Sequence, residues 1–140
     1  MRKEILHDLG FFGHYLHVHT GGRGGKQFVL VTLDASGGQL TQRELLERSN
    51  TSPAALSEVL AKLEAEGLIL REPCESDRRQ LTIELTKEGS VLAGRLRQER
   101  ETFECEAFSC LTGSEQAQLK ELLDKLAEHW RSMEGREVRV

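Results

Sequence analysis

The triplet Asp77-Arg78-Arg79 stands between two short apolar segments, Leu68-Ile69-Leu70-Arg71 and Gln80-Leu81-Thr82-Ile83-Glu84-Leu85. Arginines at a hairpin tip can enter a narrow minor groove of DNA, where the potential is most negative. A neighbouring aspartate can brace a guanidinium through a bidentate pair. A second candidate surface is helical. Within Ser52 to Glu66, Leu56, Val59, Leu60 and Leu63 recur at i, i+3, i+4 and i+7 and face a core. The opposite surface holds Ala54, Ala55, Glu58, Ala61 and Lys62, with Ser57 on its flank. Small side chains let a helix approach a major groove closely. Alanine methyls can meet a thymine methyl, serine hydroxyls can bond bases or phosphates, and Glu58 can accept from cytosine N4. Exposed amides at the N-terminus of such a helix favour a phosphate.

Two further sets of residues carry potential chemistry. His7, His14 and His17 share a stripe of the first helical segment. His14 and His17, at i and i+3, can share a metal ion, zinc being the common partner of imidazole. His129, Glu104, Glu106 and Cys105 are the residues that could complete such a site. No metal-ligand signature requires it, and solvent- or dimer-facing histidines are the plainer reading. Cys74, Cys105 and Cys110 make an odd count without a CxxC pair, which argues for reduced thiols and against a disulfide framework or zinc ribbon. No nucleophile elbow or zinc-protease motif is present, so catalysis is not expected.

The elements that must position these residues follow from periodicity and caps. A first helix is expected from about Lys3 to His19, with Ile5, Leu9, Phe12 and Leu16 on one face. Gly21-Gly22-Arg23-Gly24-Gly25 lacks the lysine and Ser/Thr pattern of a phosphate loop and reads as a connector. Gln27 to Ala35 reads as a helix, with a strand as the alternative because of its β-branched content. Thr41-Gln42-Arg43-Glu44 is a capping box, with reciprocal bonds expected between each residue's side chain and the other's amide. Leu40 and Leu45 are placed as its hydrophobic staple. A short helix then covers Gln42 to Arg48, and Ser49-Asn50-Thr51 turns the chain. Ser52 caps the next helix, with Pro53 in its first turn and Gly67 at its end. Two short helices joined by about three residues form a helix-turn-helix.

The two apolar segments then make a β-hairpin wing, with Leu81, Ile83 and Leu85 on one face. Thr86 caps a long helix reaching about Cys110. Thr112-Gly113-Ser114-Glu115 is a second capping box. The last helix carries the stripe Leu119, Leu122, Leu123, Leu126, Trp130 and Met133. The tail from Gly135 to Val140 is expected to fray.

The 140 residues fit one domain, or one core with a helical extension. The start of the chain lacks a secretory signal, and no stretch is long and apolar enough to cross a bilayer, so a cytoplasmic protein is expected. A net charge of −4 is unusual for a nucleic-acid binder and requires any positive surface to be local. It favours an alternative of another class, a winged-helix protein-interaction module without DNA binding. The Arg78-Arg79 wing favours DNA.

The run Leu63-Glu64-Ala65-Glu66-Gly67-Leu68-Ile69-Leu70-Arg71, followed by Asp77-Arg78-Arg79-Gln80-Leu81-Thr82-Ile83-Glu84-Leu85-Thr86-Lys87-Glu88-Gly89, resembles the signature of the MarR family of multiple-antibiotic-resistance-type repressors. Leu40-Thr41-Gln42-Arg43-Glu44-Leu45 and Ser52-Pro53-Ala54-Ala55-Leu56-Ser57 match it as well. The resemblance implies a mainly α fold: a winged helix-turn-helix with a β-hairpin wing and a helical dimerisation region. Residues 1–26 would supply a dimerisation helix and connector, 27–89 the DNA-binding region, and 90–140 further dimerisation helices. Double-stranded DNA, a second copy of the chain and a small-molecule effector are the implied partners, with no membrane and no cofactor.

The implied DNA-contacting residues are Thr41, Ser52, Pro53, Ala54, Ala55, Ser57, Glu58, Lys62, Asp77, Arg78 and Arg79. Ile5, Leu9, Phe12, Leu119, Leu122, Leu126 and Trp130 would hold the dimer. The chain departs from the family pattern in a recognition helix poor in Arg and Lys. Its first helix also lacks the cysteine of the peroxide-sensing form.

Overall fold

A computed structural model of the chain describes residues 1–20 and 25–137. Gly21 to Gly24, most of the expected connector, and the tail residues Val138 to Val140 lie outside it. The described elements run α1 (Arg2–Thr20), α2 (Lys26–Ala35), β1 (Gln39–Thr41), α3 (Gln42–Arg48), α4 (Pro53–Ala65), β2 (Ile69–Pro73), β3 (Leu81–Leu85), α5 (Lys87–Ala107) and α6 (Gly113–Glu137). Two compact units emerge, residues 1–100 and 101–140. The division falls inside α5. The first turns of that helix belong to the winged-helix core, where Ala93 is fully buried.

That core is a single cluster drawn from α2, α3, α4, α5 and all three strands, with Leu30, Leu33, Leu45, Leu56, Leu60, Leu63, Ile69 and Ile83 almost without solvent contact. Fully burying a side chain of this kind stabilises by about 1.5–3 kcal/mol. In α2, Val29, Leu30 and Leu33 are buried together, the spacing of one helical face, and the segment is a helix rather than the alternative strand. Leu40 and Leu45, on either side of the Thr41 cap, are both in the cluster.

The sheet is antiparallel in the order β1-β3-β2. Leu40 pairs with Ile83, and Arg71 pairs with Ile83 from the other side. β1 was not expected: three residues are too few to show an alternating pattern, and they form a strand only because β3 offers them a free edge. β2 continues to Pro73, two residues beyond Arg71. Proline is tolerated there because β2 is an edge strand.

Helix ends follow their caps. Thr112 and Glu115 form the complete reciprocal box expected: the Thr112 amide donates to the carboxylate at 2.9 Å, and the Glu115 amide donates to the hydroxyl at 3.1 Å. At Thr41 only half of the box forms. The Glu44 amide donates to the hydroxyl, but the Glu44 carboxylate accepts from that hydroxyl rather than from the Thr41 amide. Thr41 is also the last residue of β1, paired with Thr82, so its backbone serves the sheet. Gly67 has φ +75° and closes α4, with the Leu68 amide donating to the Leu63 carbonyl at 3.0 Å. This is the six-residue closure for which glycine is favoured. α5 ends at Ala107, before Cys110, while α6 stays helical through Gly135 to Glu137, where fraying was expected.

Candidate nucleic-acid interface

Two surfaces of the first unit carry the residues that could meet DNA. The first is the outward side of α4. Its N-terminus is set by Ser52, whose hydroxyl accepts from the Ala55 amide at 3.2 Å, and by Pro53 in the first turn. Leu56, Leu60 and Leu63 bind the inner face to the core. Ser52, Pro53, Ala54, Ala55, Glu58, Ala61 and Lys62 are exposed, and Ser57 is half-buried on the flank. One helix thus presents a shallow, methyl-lined start followed by two charged residues, Glu58 and Lys62, which pair loosely at 3.6 Å. Thr41 is half-buried and engaged in capping α3. Like the Ser52 hydroxyl, its side chain is already used in a helix cap.

The second surface is the wing, β2 and β3 with the loop between them. Arg78 and Arg79 are exposed in that loop, and neither forms an ion pair with another described residue. Most other arginines of the first unit are engaged: Arg43 with Glu47, Arg48 with Ser36, Arg71 with Glu64, Arg95 with Glu99 and Arg97 with Asp34. The wing also exposes Glu72, Glu75 and Asp77, so the positive charge it offers is confined to these two side chains.

Asp77 does not brace a guanidinium in this structure. Its carboxylate accepts from the Arg79 backbone amide at 3.0 Å, and its carbonyl accepts from the Gln80 amide at 3.0 Å. A short acidic side chain bonding an amide two residues ahead is an Asx turn. Asp77 shapes the loop backbone from which the arginines project.

The wing is tied to α4 from below. Arg71 of β2 reaches back to Glu64 at 3.2 Å, and that hydrogen bond holds the Glu64 carboxyl below its ordinary range. The Thr86 hydroxyl donates to the Gly67 carbonyl at 2.7 Å and accepts from the Gly89 amide at 3.0 Å, which joins the end of α4 to the start of α5. Sequence reasoning passed over Cys74 except as a thiol. It lies at the end of β2, half-buried, with its sulfur 3.2 Å from the Ser76 hydroxyl, and that hydrogen bond lowers its pKa. The one signal in the sequence was its place beside the charged turn.

His14 and His17 are exposed on α1, and among the described residues no three His, Cys, Asp or Glu side chains come together as a metal site. Among the described residues, no helix is long and apolar enough to cross a membrane.

The geometry finds its counterpart in known proteins. A family model described as the MarR family matches residues 26–81. An HTH-type transcriptional repressor of Mycobacterium tuberculosis is 30% identical over 100 residues, covering 71% of this chain and 72% of the relative. The chain belongs to the MarR family. As a member it is a DNA-binding transcriptional regulator with the mainly α winged-helix fold. A mutant E. coli MarR crystallised with operator DNA is 27% identical, with a TM-score of 0.62 over 71% of this chain and 72% of that one. The PcaV transcriptional regulator from Streptomyces coelicolor is similar in fold alone, at 20% identity and a TM-score of 0.76, over 94% of this chain and 98% of that one. The MarR match spans α2 to the start of β3, the segment that carries both surfaces described above.

Proposed function

We propose that this MarR-family regulator is a cytoplasmic repressor that acts as a homodimer on a pseudo-palindromic operator and releases DNA when it binds a small-molecule effector. One observation carries the DNA reading: a recognition helix with a clear outward face and a wing with two arginines that have no ionic partner among the described residues occur in one compact unit. In this reading Ser52 to Lys62 meet the major groove and Arg78 and Arg79 the minor groove. The related E. coli MarR, seen on operator DNA, supports it.

The dimer is supported by apolar surface that its own chain leaves uncovered. On α1, Ile5, Phe12 and Leu16 are about half exposed, and Leu9 is only partly covered. On α6, Leu119, Leu122, Leu126 and Trp130 keep between 37% and 61% of their surface in water. Contiguous stripes of this size mark an interaction surface. A symmetric partner covers the same patch on both copies, and a two-fold dimer places its half-sites about one turn of DNA apart, roughly 10 base pairs.

Selection of bound duplexes from a random pool tests the proposal. An enriched palindrome with that spacing is expected. Recovery of no common sequence by the dimeric protein would refute operator binding and return the net acidic charge to the protein-interaction reading.

A further inference from the structure

We propose that Glu58 sets base preference on the recognition helix, selecting a cytosine by accepting from its N4 amino group and rejecting base edges that present only acceptors there. The inference rests on the operator-binding reading above. Glu58 is the sixth residue of α4, about 7.5 Å along the axis from Pro53 at a rise of 1.5 Å per residue. That places it at the second turn, within the N-terminal part of the helix that meets base edges in helix-turn-helix proteins. Its side chain is 71% exposed.

The surroundings leave the carboxylate little choice. Its neighbours one turn away on the outward face, Ala54, Ala55 and Ala61, carry only methyl groups. Among the described residues Lys62 is the cation that pairs with it, and at 3.6 Å the contact is too long for a good hydrogen bond. Exposed pairs of this kind hold weakly. Near DNA the lysine can exchange the carboxylate for a phosphate, an interaction that also releases counterions. The carboxylate is then an acceptor in a desolvated groove and must find a donor or bear the cost of an unmade hydrogen bond.

The major groove offers donors at two atoms only, cytosine N4 and adenine N6. The adenine amino group lies beside N7, whose lone pair would face the second carboxylate oxygen. Next to cytosine N4 is a C–H, which does not repel it. Guanine presents N7 and O6, and thymine presents O4, all acceptors. Cytosine is therefore the edge that satisfies Glu58, and the same charge that accepts it excludes the others.

The test uses the full-length protein and its E58Q and E58A variants in duplex selection, followed by affinity measurements on single-base variants of the enriched site. Helicity and dimerisation are checked first; both should persist, because Glu58 contributes only a loose surface pair. For the wild type we expect a cytosine at one symmetric position per half-site, and its replacement by thymine should weaken binding roughly ten- to hundredfold. E58Q should move the preference to adenine, since an amide can both accept from N6 and donate to N7. E58A should flatten that position alone and bind unrelated duplexes more tightly, one negative charge having left the phosphate-facing surface. If E58A keeps the wild-type preference at every position, the inference is overturned while operator binding stands. If the wild type itself enriches no palindrome, operator binding fails and the inference falls with it.

Discussion

Replacing Gly89 by alanine should damage this protein more than its place in the first turn of α5 suggests. A Cβ built there would lie 2.0 Å from the Leu68 carbonyl oxygen, 3.0 Å from its carbon and 3.3 Å from the Leu85 side chain. Both atoms of the closest contact are backbone, so no flexible tip can give way. Cβ contacts under 3.0 Å essentially do not occur, and the two segments must part by about 1 Å, the difference between that limit and the contact. Leu68 leads into β2, and its carbonyl also accepts from the Thr86 amide at 3.1 Å. The displacement thus separates α5 from the base of the wing.

Overpacking typically costs about 1–3 kcal/mol, and a backbone–backbone collision belongs at or above the upper end. At roughly 4 °C per kcal/mol for a chain of this size, Tm should fall by about 12 °C. Gly94, on the same helix, is the control. Nothing lies within 4 Å of its Cβ position, and Gly94→Ala should gain about 1 kcal/mol from helix propensity. Urea and thermal unfolding at one fixed protomer concentration compare the two, since dimerisation makes stability concentration-dependent. Equal stability of Gly89→Ala and wild type, within about 0.5 kcal/mol, would refute the packing described for this corner.

Other outcomes follow from the site and its supports. Leu126→Asp should weaken the dimer tenfold or more, since one leucine contributes about 1.5–3 kcal/mol when buried; light scattering at micromolar concentration reads the shift, and an intact dimer would remove α6 from the interface. Arg78→Ala and Arg79→Ala should each cost about 1–3 kcal/mol in operator affinity, and loss of a phosphate contact should lower the salt slope by roughly one. Unchanged affinity in the double variant would exclude readout by the wing. Asp77→Ala should weaken binding less than either, by loosening the loop rather than removing a contact. The Glu64 carboxyl, lowered by Arg71, is stabilising above its ordinary value of 4.5, and the contribution is lost as pH falls through the lower folded-state value. Glu64→Gln should therefore flatten the acid limb of the stability–pH curve, and an unchanged limb would show that the pair contributes nothing.

Much of the fold was legible because it is written in local signals. The staple residues Leu40 and Leu45, the Ser52–Pro53 start, the Gly67 stop and the Thr112–Glu115 box are short-range devices whose partners lie within a few residues. The amphipathic spacing of Leu56, Leu60 and Leu63 likewise fixes which side of α4 faces outward. What stayed hidden depends on partners distant in the chain. β1 exists through pairing with β3, more than 40 residues away, and that pairing also draws the Thr41 backbone out of its expected capping box.

For the candidate site the division is the same. By itself the sequence determined which residues could face DNA, because helical periodicity and turn composition assign side chains to faces without reference to the rest of the chain. Tertiary structure alone decided how those residues are held. It bent Asp77 onto the Arg79 amide, left Arg78 and Arg79 without ionic partners among the described residues, and set Gly89 against Leu68. The physical reason is that hydrogen-bond choice and close approach depend on which groups arrive together in space. Chain spacing does not encode that arrival once the groups belong to different elements.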